Sequence, residues 1–186
     1  MNGTSTVDGS ASATGTNESR SAQAPEAQPA AWSPAVQAPY APISAYAVIG
    51  DMRTAALVGL NGSIDWCCLP DFPSASSFAA ILDETRGGRF QIAPMGTSRT
   101  EQRYLPATNV LLTAFHGATG TFELCDFMPV GPDGRRPGFP EIHRQVRCTR
   151  GQVDVSVCFS PRFDYGVKAA HLIPRRNGVL ATDDDN

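Results

Sequence analysis

The sequence has little of what a membrane protein or a nucleic-acid-binding protein needs. No stretch approaches about 18 consecutive apolar residues, and the first residues carry neither the basic segment nor the apolar run of a secretory signal. The formal net charge is −3 and the isoelectric point is near 5.5, so few positive charges are available to neutralise phosphates. We therefore expect a cytoplasmic protein with neither a membrane nor a nucleic acid as its partner.

Metal, nucleotide and disulfide chemistry also lack their usual sequence signals. The five cysteines are an odd number, and the only close pair, Cys67 and Cys68, is directly adjacent, which fits neither a disulfide framework nor a CxxC metal site. The three histidines are far apart, and no phosphate-binding, dinucleotide-binding, zinc-protease or nucleophile-elbow motif is present. We expect the cysteines to be small buried residues in a reducing compartment, with no metal and no cofactor.

Residues 1–39 differ in composition from the rest of the chain. They contain four charged residues and one aromatic residue, Trp32, among Ser, Thr, Ala, Gln and Pro. Such a segment buries too little apolar surface to offset the entropy that its backbone loses on ordering. We expect a disordered low-complexity tail at residues 1–39, either passive or a docking peptide built on Trp32 and Pro34, and a folded domain at residues 40–186.

The folded part has the texture of an antiparallel β-sandwich. Short β-branched and aromatic runs alternate with Gly, Pro and Asn turns, and the clearest unit is a hairpin around Asn61-Gly62, for which we predict a two-residue type I′ turn. The register of that turn pairs apolar residues on one side of the hairpin, which we expect to face the core: Leu57 with Trp66, Gly59 with Ile64 and Ala55 with Cys68.

Further strands are predicted at residues 89–92, 110–115, 121–127, 142–148 and 153–159. In the last of these the alternation places Val153, Val155, Val157 and Phe159 on a core face. One short helix is predicted where Ser76 or Ser77 can act as the cap and Phe78, Ile81 and Leu82 form a buried stripe.

Two loops complete the pattern. The Gly/Pro-rich segment at residues 131–140, with Arg135 and Arg136, reads as a surface excursion or an anion site. A second hairpin around Asn177-Gly178 stands near the end of the sequence and leaves a sheet edge without a covering element. We therefore expect the sandwich to be incomplete at its C-terminal end.

Carboxylates are the remaining candidates for chemistry, because a pair of acids can hydrolyse a glycoside. Asp65 is either a structural hydrogen-bond acceptor in the first hairpin or part of a substrate site, and Asp51 fits a turn in which it accepts backbone N–H groups. Arg162, Asp164 and Tyr165 group a guanidinium, a carboxylate and an aromatic ring in one loop, either as a sugar contact or as a simple Arg–Asp pair. With Trp66, the candidates for a substrate loop are Asp65, Trp66, Arg162, Asp164 and Tyr165, and none is assigned a catalytic role.

Several of these motifs, in this order, resemble the trehalase-like N-terminal domain of bacterial family 15 glycoside hydrolases, relatives of glucoamylase, glucodextranase and trehalase. The resemblance covers residues 43–166 and includes Phe72. Its motifs are YAVIGD at 46–51, TAALV at 54–58, GSIDWCCLP at 62–70, GGRF at 87–90, RYLPATNVL at 103–111, DFMP at 126–129 and PRFDYG at 161–166. The sequence departs from the family at 70–75, where Asp71 replaces a basic residue and Pro73 an acidic one.

The resemblance implies a β-sandwich that precedes an (α/α)6 barrel, in which two barrel glutamates act as general acid and base with inversion. Nothing in this sequence resembles that barrel, and no residue can be assigned to the phosphate or magnesium associated with some trehalase relatives. The first hypothesis is therefore a non-catalytic N-terminal domain, a fragment of an α-glucoside hydrolase whose catalytic barrel is its partner. The second is a free-standing carbohydrate-binding or scaffold β-sandwich that partners a separate barrel. A third, disfavoured hypothesis is a small hydrolase that uses Asp65 and Asp164.

Overall fold

The structure is a computed structural model that describes residues 40–131 and 138–183. The tail predicted at residues 1–39 lies outside the described residues, as do Arg135 and Arg136 of the predicted surface loop. No helix in the described part of the chain is both long and apolar enough to cross a membrane.

The regular secondary structure of the described chain consists of strands, preceded by one 3-10 helix at Ile43–Ala45. The strands are β1 Tyr46–Gly50, β2 Ala55–Gly59, β3 Ser63–Cys68, β4 Ser76–Phe78, β5 Arg89–Pro94, β6 Arg99–Tyr104, β7 Leu111–His116, β8 Gly120–Phe127, β9 His143–Gly151, β10 Val155–Ser160, β11 Arg162–Phe163, β12 Lys168–Ala169, β13 His171–Arg175 and β14 Gly178–Thr182.

Two antiparallel sheets form a sandwich, as predicted. One has the order β1-β2-β3-β5-β10, with β4 paired to β3, and the other has the order β6-β7-β8-β9. The core lies between them: Ile49 and Ile64 of the first sheet cluster with Leu111 of the second. A second cluster joins Ile92 of β5 to Phe115 and Phe122, whose rings stack at 4.7 Å. The strands that contribute to these clusters thus bury side chains that face the opposite sheet.

The first hairpin forms, but its predicted turn is wrong and its predicted register holds only as far as the Leu57–Trp66 pair. Gly62 is the only turn residue with positive φ, at 73°, and its N–H donates to the Gly59 carbonyl at 2.9 Å, so the turn is not type I′. Leu57 does pair with Trp66, but Val58, not Gly59, pairs with Ile64, because the strands shift register there. Asp65 is the extra residue of this β-bulge.

The predicted core face of this hairpin is only partly right. Ile64 and Cys68 are buried as predicted, but other positions differ. Ala56 and Val58 are fully buried, whereas Leu57 and Trp66 are only partly buried. An inserted residue shifts the alternation of one strand against its partner, so the face cannot be read from periodicity alone.

The predicted helix after Ser76 is also wrong. Ser76–Phe78 is strand β4, and the backbone N–H groups that follow are used across the chain: Ala79 donates to Gly87 and Ile81 donates to Asp65. Phe78 is buried and packs edge-on against Phe159 at 6.0 Å, whereas Leu82 is 61% exposed. The three apolar residues of the predicted helix therefore have helical spacing but do not share one buried face.

Strand β10 is less buried than its alternation predicts. Val157 is 63% exposed, because β10 is the edge of its sheet and nothing described covers that position. Cys148 of β9 and Cys158 of β10 are also exposed, which corrects the expectation that all cysteines are buried, although Cys67 and Cys68 are buried as expected.

The predicted second hairpin is confirmed as β13–β14, with Arg175 opposite Gly178 and therefore Arg176 and Asn177 in the turn. Residues 171–180 are all exposed, so the hairpin has little core of its own among the described residues. An isolated two-stranded hairpin is at best marginally stable in water.

Candidate functional site

The candidate residues do not form a single site. Trp66 and Tyr165 come together, with ring centroids 5.8 Å apart, and Asp164 lines a groove beside them. Asp65 lines a separate, smaller pocket. The two depressions are therefore considered in turn.

The loop that carries Asp164 and Tyr165 is held in an unusual conformation. Asp164, Tyr165 and Gly166 have φ values of 51°, 56° and 83°, a left-handed region that a tyrosine rarely adopts. Two hydrogen bonds to Ser76 fix the loop. The Ser76 carbonyl accepts from the Asp164 N–H at 3.1 Å, and the Ser76 Oγ accepts from the Tyr165 N–H at 2.9 Å. The result is a Tyr165 ring that is 49% exposed and braced by Trp66.

The larger groove, of about 820 Å³, lies beside this loop. Asp164 and Lys168 line it, together with Ile173 and Leu180 of the β13–β14 hairpin. Lys168 is tied to Asp183 at 3.3 Å, and no ion pair joins Arg162 to Asp164, both of which the structure describes. The groove therefore combines apolar hairpin residues with charged loop residues.

Asp65 occupies the bulge in β3 and is 7% exposed. Its carboxylate accepts hydrogen bonds from the Ser63 hydroxyl at 2.5 Å and the Tyr46 hydroxyl at 2.9 Å. Burial, and then the bond to Asp65, raise the pKa of Tyr46 to about 12, so Tyr46 remains the proton donor across the neutral range. Asp65 thus anchors two side chains, whereas the structural role expected for it from the sequence was to anchor neighbouring backbone.

The smaller pocket, of about 310 Å³, opens beside this cluster. The polar and aromatic residues that line it are Tyr40, Tyr46, Asn61, Asp65, Glu84 and Arg89.

Four of these residues, Tyr40, Tyr46, Glu84 and Arg89, are not among the candidates identified from the sequence. Only Tyr46 and Arg89 lie in motifs identified from the sequence. The contact between β1 and the bulge of β3 requires a strand register that the sequence pattern does not fix.

The other buried carboxylates have structural partners. Asp51 Oδ1 accepts from the backbone N–H groups of Arg53 and Thr54, as the sequence predicts. Asp126 is fully buried and makes a two-point ion pair with Arg144. Among the described residues, no group of three or more His, Cys, Asp or Glu side chains is placed to hold a metal ion.

Comparison with known proteins gives one family and several relatives. Residues 30–185 match the family model described as trehalase-like, N-terminal. Trehalase from Thermoplasma volcanium is 39% identical over 148 residues, which are 78% of this chain and 24% of that protein. Trehalase from Mycobacterium tuberculosis is 32% identical over 142 residues, which are 68% of this chain and 21% of that protein. The chain spans about a quarter of the length of the curated relatives that it matches, and no solved structure matches it.

Proposed function

This chain belongs to the trehalase-like N-terminal domain family, and from that membership we propose that it serves as the non-catalytic N-terminal domain of a glycoside hydrolase. The proposed parent is an inverting enzyme of the family 15 type that acts on α-glucosides, either glucan ends or trehalose. The observation that carries the proposal is the family match over residues 30–185, combined with relatives named trehalase that are more than three times as long as this chain.

The chemistry of the acidic residues supports a non-catalytic role. A glycoside hydrolase of this type needs two opposed carboxyl groups, one protonated and one ionised, with room for a water or a sugar between them. The three buried carboxylates of the described chain, Asp51, Asp65 and Asp126, are each engaged with a backbone or side-chain donor. Asp164 lies at the larger groove, whereas Asp65 lies at the smaller pocket, so the two do not line one depression.

The exposed apolar residues support a large partner. Val157 of β10 and Leu172, Val179 and Leu180 of the β13–β14 hairpin are between 45% and 63% exposed. Burial of such a patch is favourable by roughly 25 cal/mol per Å², so it fits a surface that another part of a longer protein covers. We assign this role to the catalytic barrel of the parent enzyme.

The test compares the isolated chain with a reconstituted enzyme. The 186-residue chain alone is expected to release no glucose from trehalose or maltooligosaccharides. Co-expression with the Thermoplasma volcanium trehalase, from which the region matching this chain has been deleted, is expected to give a soluble complex with trehalase activity. Glucose release by the chain alone that disappears in Asp65→Asn would contradict the proposal and identify a small hydrolase.

The smaller pocket favours a second candidate, a carbohydrate-binding β-sandwich that partners a separate barrel. Retention of the isolated chain on immobilised glucan or trehalose, without any effect on the activity of a co-expressed barrel, is the outcome expected of that candidate.

A further inference from the structure

We propose that the smaller pocket, lined by Tyr40, Tyr46, Asn61, Asp65, Glu84 and Arg89, binds a single neutral hexopyranose. The inference takes the glucosyl unit from the proposed function, whereas the geometry of the pocket does not depend on it. The pocket holds none of the residues of the Trp66–Tyr165 pair or of the larger groove.

The size of the pocket sets the size of its ligand. Its volume of about 310 Å³ is at the lower end of the range, roughly 300 to 1,000 Å³, that small-molecule sites occupy. That volume suits one sugar ring and is too small for a longer oligosaccharide, of which only a terminal unit would enter.

The lining chemistry matches a sugar ring, which has apolar C–H faces and a rim of hydroxyls. Tyr40 and Tyr46 supply aromatic surface, which is the usual platform for apolar faces. Asn61 accepts the Ser63 N–H through Oδ1, and among the described residues its Nδ2 has no hydrogen-bond partner, so it remains a donor. Glu84 and Arg89 add an acceptor and a planar donor group for neighbouring hydroxyls.

The charges of the pocket exclude an anionic ligand. Asp65 and Glu84 carry two negative charges against the one positive charge of Arg89, and Arg89 already lies 3.4 Å from Glu84. Tyr46 adds no charge, because its hydroxyl stays protonated and donates a hydrogen bond to Asp65. A sugar phosphate or an acidic sugar would meet a net negative site, whereas a neutral sugar pays no such repulsion.

The wall of the pocket is rigid before any ligand arrives. The Asn61 carbonyl accepts from the Gln91 amide at 3.2 Å, and the Gly59 carbonyl accepts from the Gln102 amide at 3.1 Å. The Leu60 N–H donates to the Ala45 carbonyl at 3.1 Å, which ties the same turn to the start of β1. Such fixed walls reduce the entropy that binding costs.

The experiment is a titration of the 186-residue chain with methyl α-glucoside and with trehalose, followed by ligand-detected NMR and calorimetry. A ligand of this size is expected to bind with a Kd on the order of 1 mM. Tyr40→Ala is expected to weaken binding about fivefold by loss of ring contact. Glu84→Ala is expected to weaken it about tenfold by loss of a charged acceptor. Both side chains are exposed, so neither change disturbs the core.

Tyr165→Ala is the matched control, since it removes an equally exposed ring at the other candidate cluster. The proposal predicts unchanged affinity in this variant, and it predicts no measurable binding of glucose 6-phosphate. Absence of binding by both neutral sugars, or loss of binding in Tyr165→Ala but not in Tyr40→Ala, would overturn it. Either result leaves the trehalose hydrolysis test unaffected, so failure of the pocket and failure of the proposed function are distinguishable.

Discussion

At the scale of single residues, Arg144 joins the two sheets of the sandwich. It projects from β9, and its side chain is only 2% exposed. It donates to both carboxylate oxygens of Asp126, at 2.9 and 3.1 Å, and to the carbonyls of Phe90 and Gly62, which belong to the opposite sheet and its turn. Its guanidinium also lies 4.8 Å from the centre of the Phe90 ring. The sequence placed Arg144 on a strand, but no pattern in the sequence indicates a buried charge, because its partners come from three separate segments.

Replacement of Arg144 is therefore expected to be costly. Arg144→Met leaves Asp126 buried without its counter-charge, and such losses destabilise a fold by about 3 to 5 kcal/mol. Urea denaturation followed by tryptophan fluorescence measures the change. Arg147→Met, at an exposed position of the same strand, is the control and should lie within about 0.5 kcal/mol of the parent chain. Equal stability of the two variants would show that the buried pair contributes little.

Tyr46 gives the fold an alkaline limit. Its pKa rises from 10.0 to about 12, first by burial and then by the bond to Asp65, so folding favours the protonated phenol. The stability that it contributes is fully present below pH 10 and is lost as the pH rises towards about 12. Absorbance at 295 nm should show a tyrosine that ionises in that window and is missing in Tyr46→Phe. Tyr104→Phe, which removes a partly exposed hydroxyl on β6, should retain that step.

At the scale of elements, the sequence predicts strands well and their registers poorly. All five further strands are found where alternation and turn residues predict them, with boundaries shifted by a few residues. The bulge at Asp65 is not predicted, because a β-bulge changes which residues pair and not which residues the two strands contain. The helix expected after Ser76 fails for a related reason: Phe78, Ile81 and Leu82 have helical spacing, but their segment finds its hydrogen-bond partners in other parts of the chain.

The candidate site shows the same limit. The candidates identified from the sequence are Asp65, Trp66, Arg162, Asp164 and Tyr165. Of these, the structure packs the rings of Trp66 and Tyr165 against each other and leaves Asp65 at a separate pocket. The pocket beside Asp65 depends on Tyr46, which precedes it by 19 residues, and on Glu84, which follows it by 19. Contacts at such separations follow from strand order, which a single sequence does not specify.

Gly62 is the residue on which the first hairpin depends. Its φ of 73° is strained for any other residue, and an added Cβ would lie 2.2 Å from the Ile92 carbonyl oxygen. Gly62→Ala is therefore expected to destabilise the fold by about 3 kcal/mol, since both the conformation and the contact are unfavourable. Thermal denaturation by circular dichroism measures the effect. Gly178→Ala is the control, because no atom lies within 4 Å of its added Cβ, and a similar loss in both variants would contradict the argument.

At the scale of the whole molecule, the apolar surface of the described chain is unevenly distributed. The clusters that join the two sheets use β1 to β5, β7 and β8, whereas β13 is exposed along its whole length, β14 is exposed at residues 178–180 and β10 is exposed at Val157. A stable single-chain protein rarely leaves a large contiguous apolar surface in water. This distribution agrees with a domain that folds through its own core and leaves its outer strands available to another surface.

If the outer strands form a docking surface, one substitution should have different effects on the isolated chain and on its complex. Val157→Lys places a charge on the exposed edge of β10, so the isolated chain should keep its denaturation midpoint and become more soluble. In co-expression with the part of the Thermoplasma volcanium trehalase that lies outside the region matched by this chain, the same change should weaken co-purification, because a lysine at a docked position loses its hydration without a partner. Val48→Lys is the matched control, since Val48 is 49% exposed on β1, at the opposite edge of the same sheet. Equal retention of both variants on this part of the trehalase would show that the β10 edge is not the docking surface, and loss of retention only in Val48→Lys would place that surface on β1.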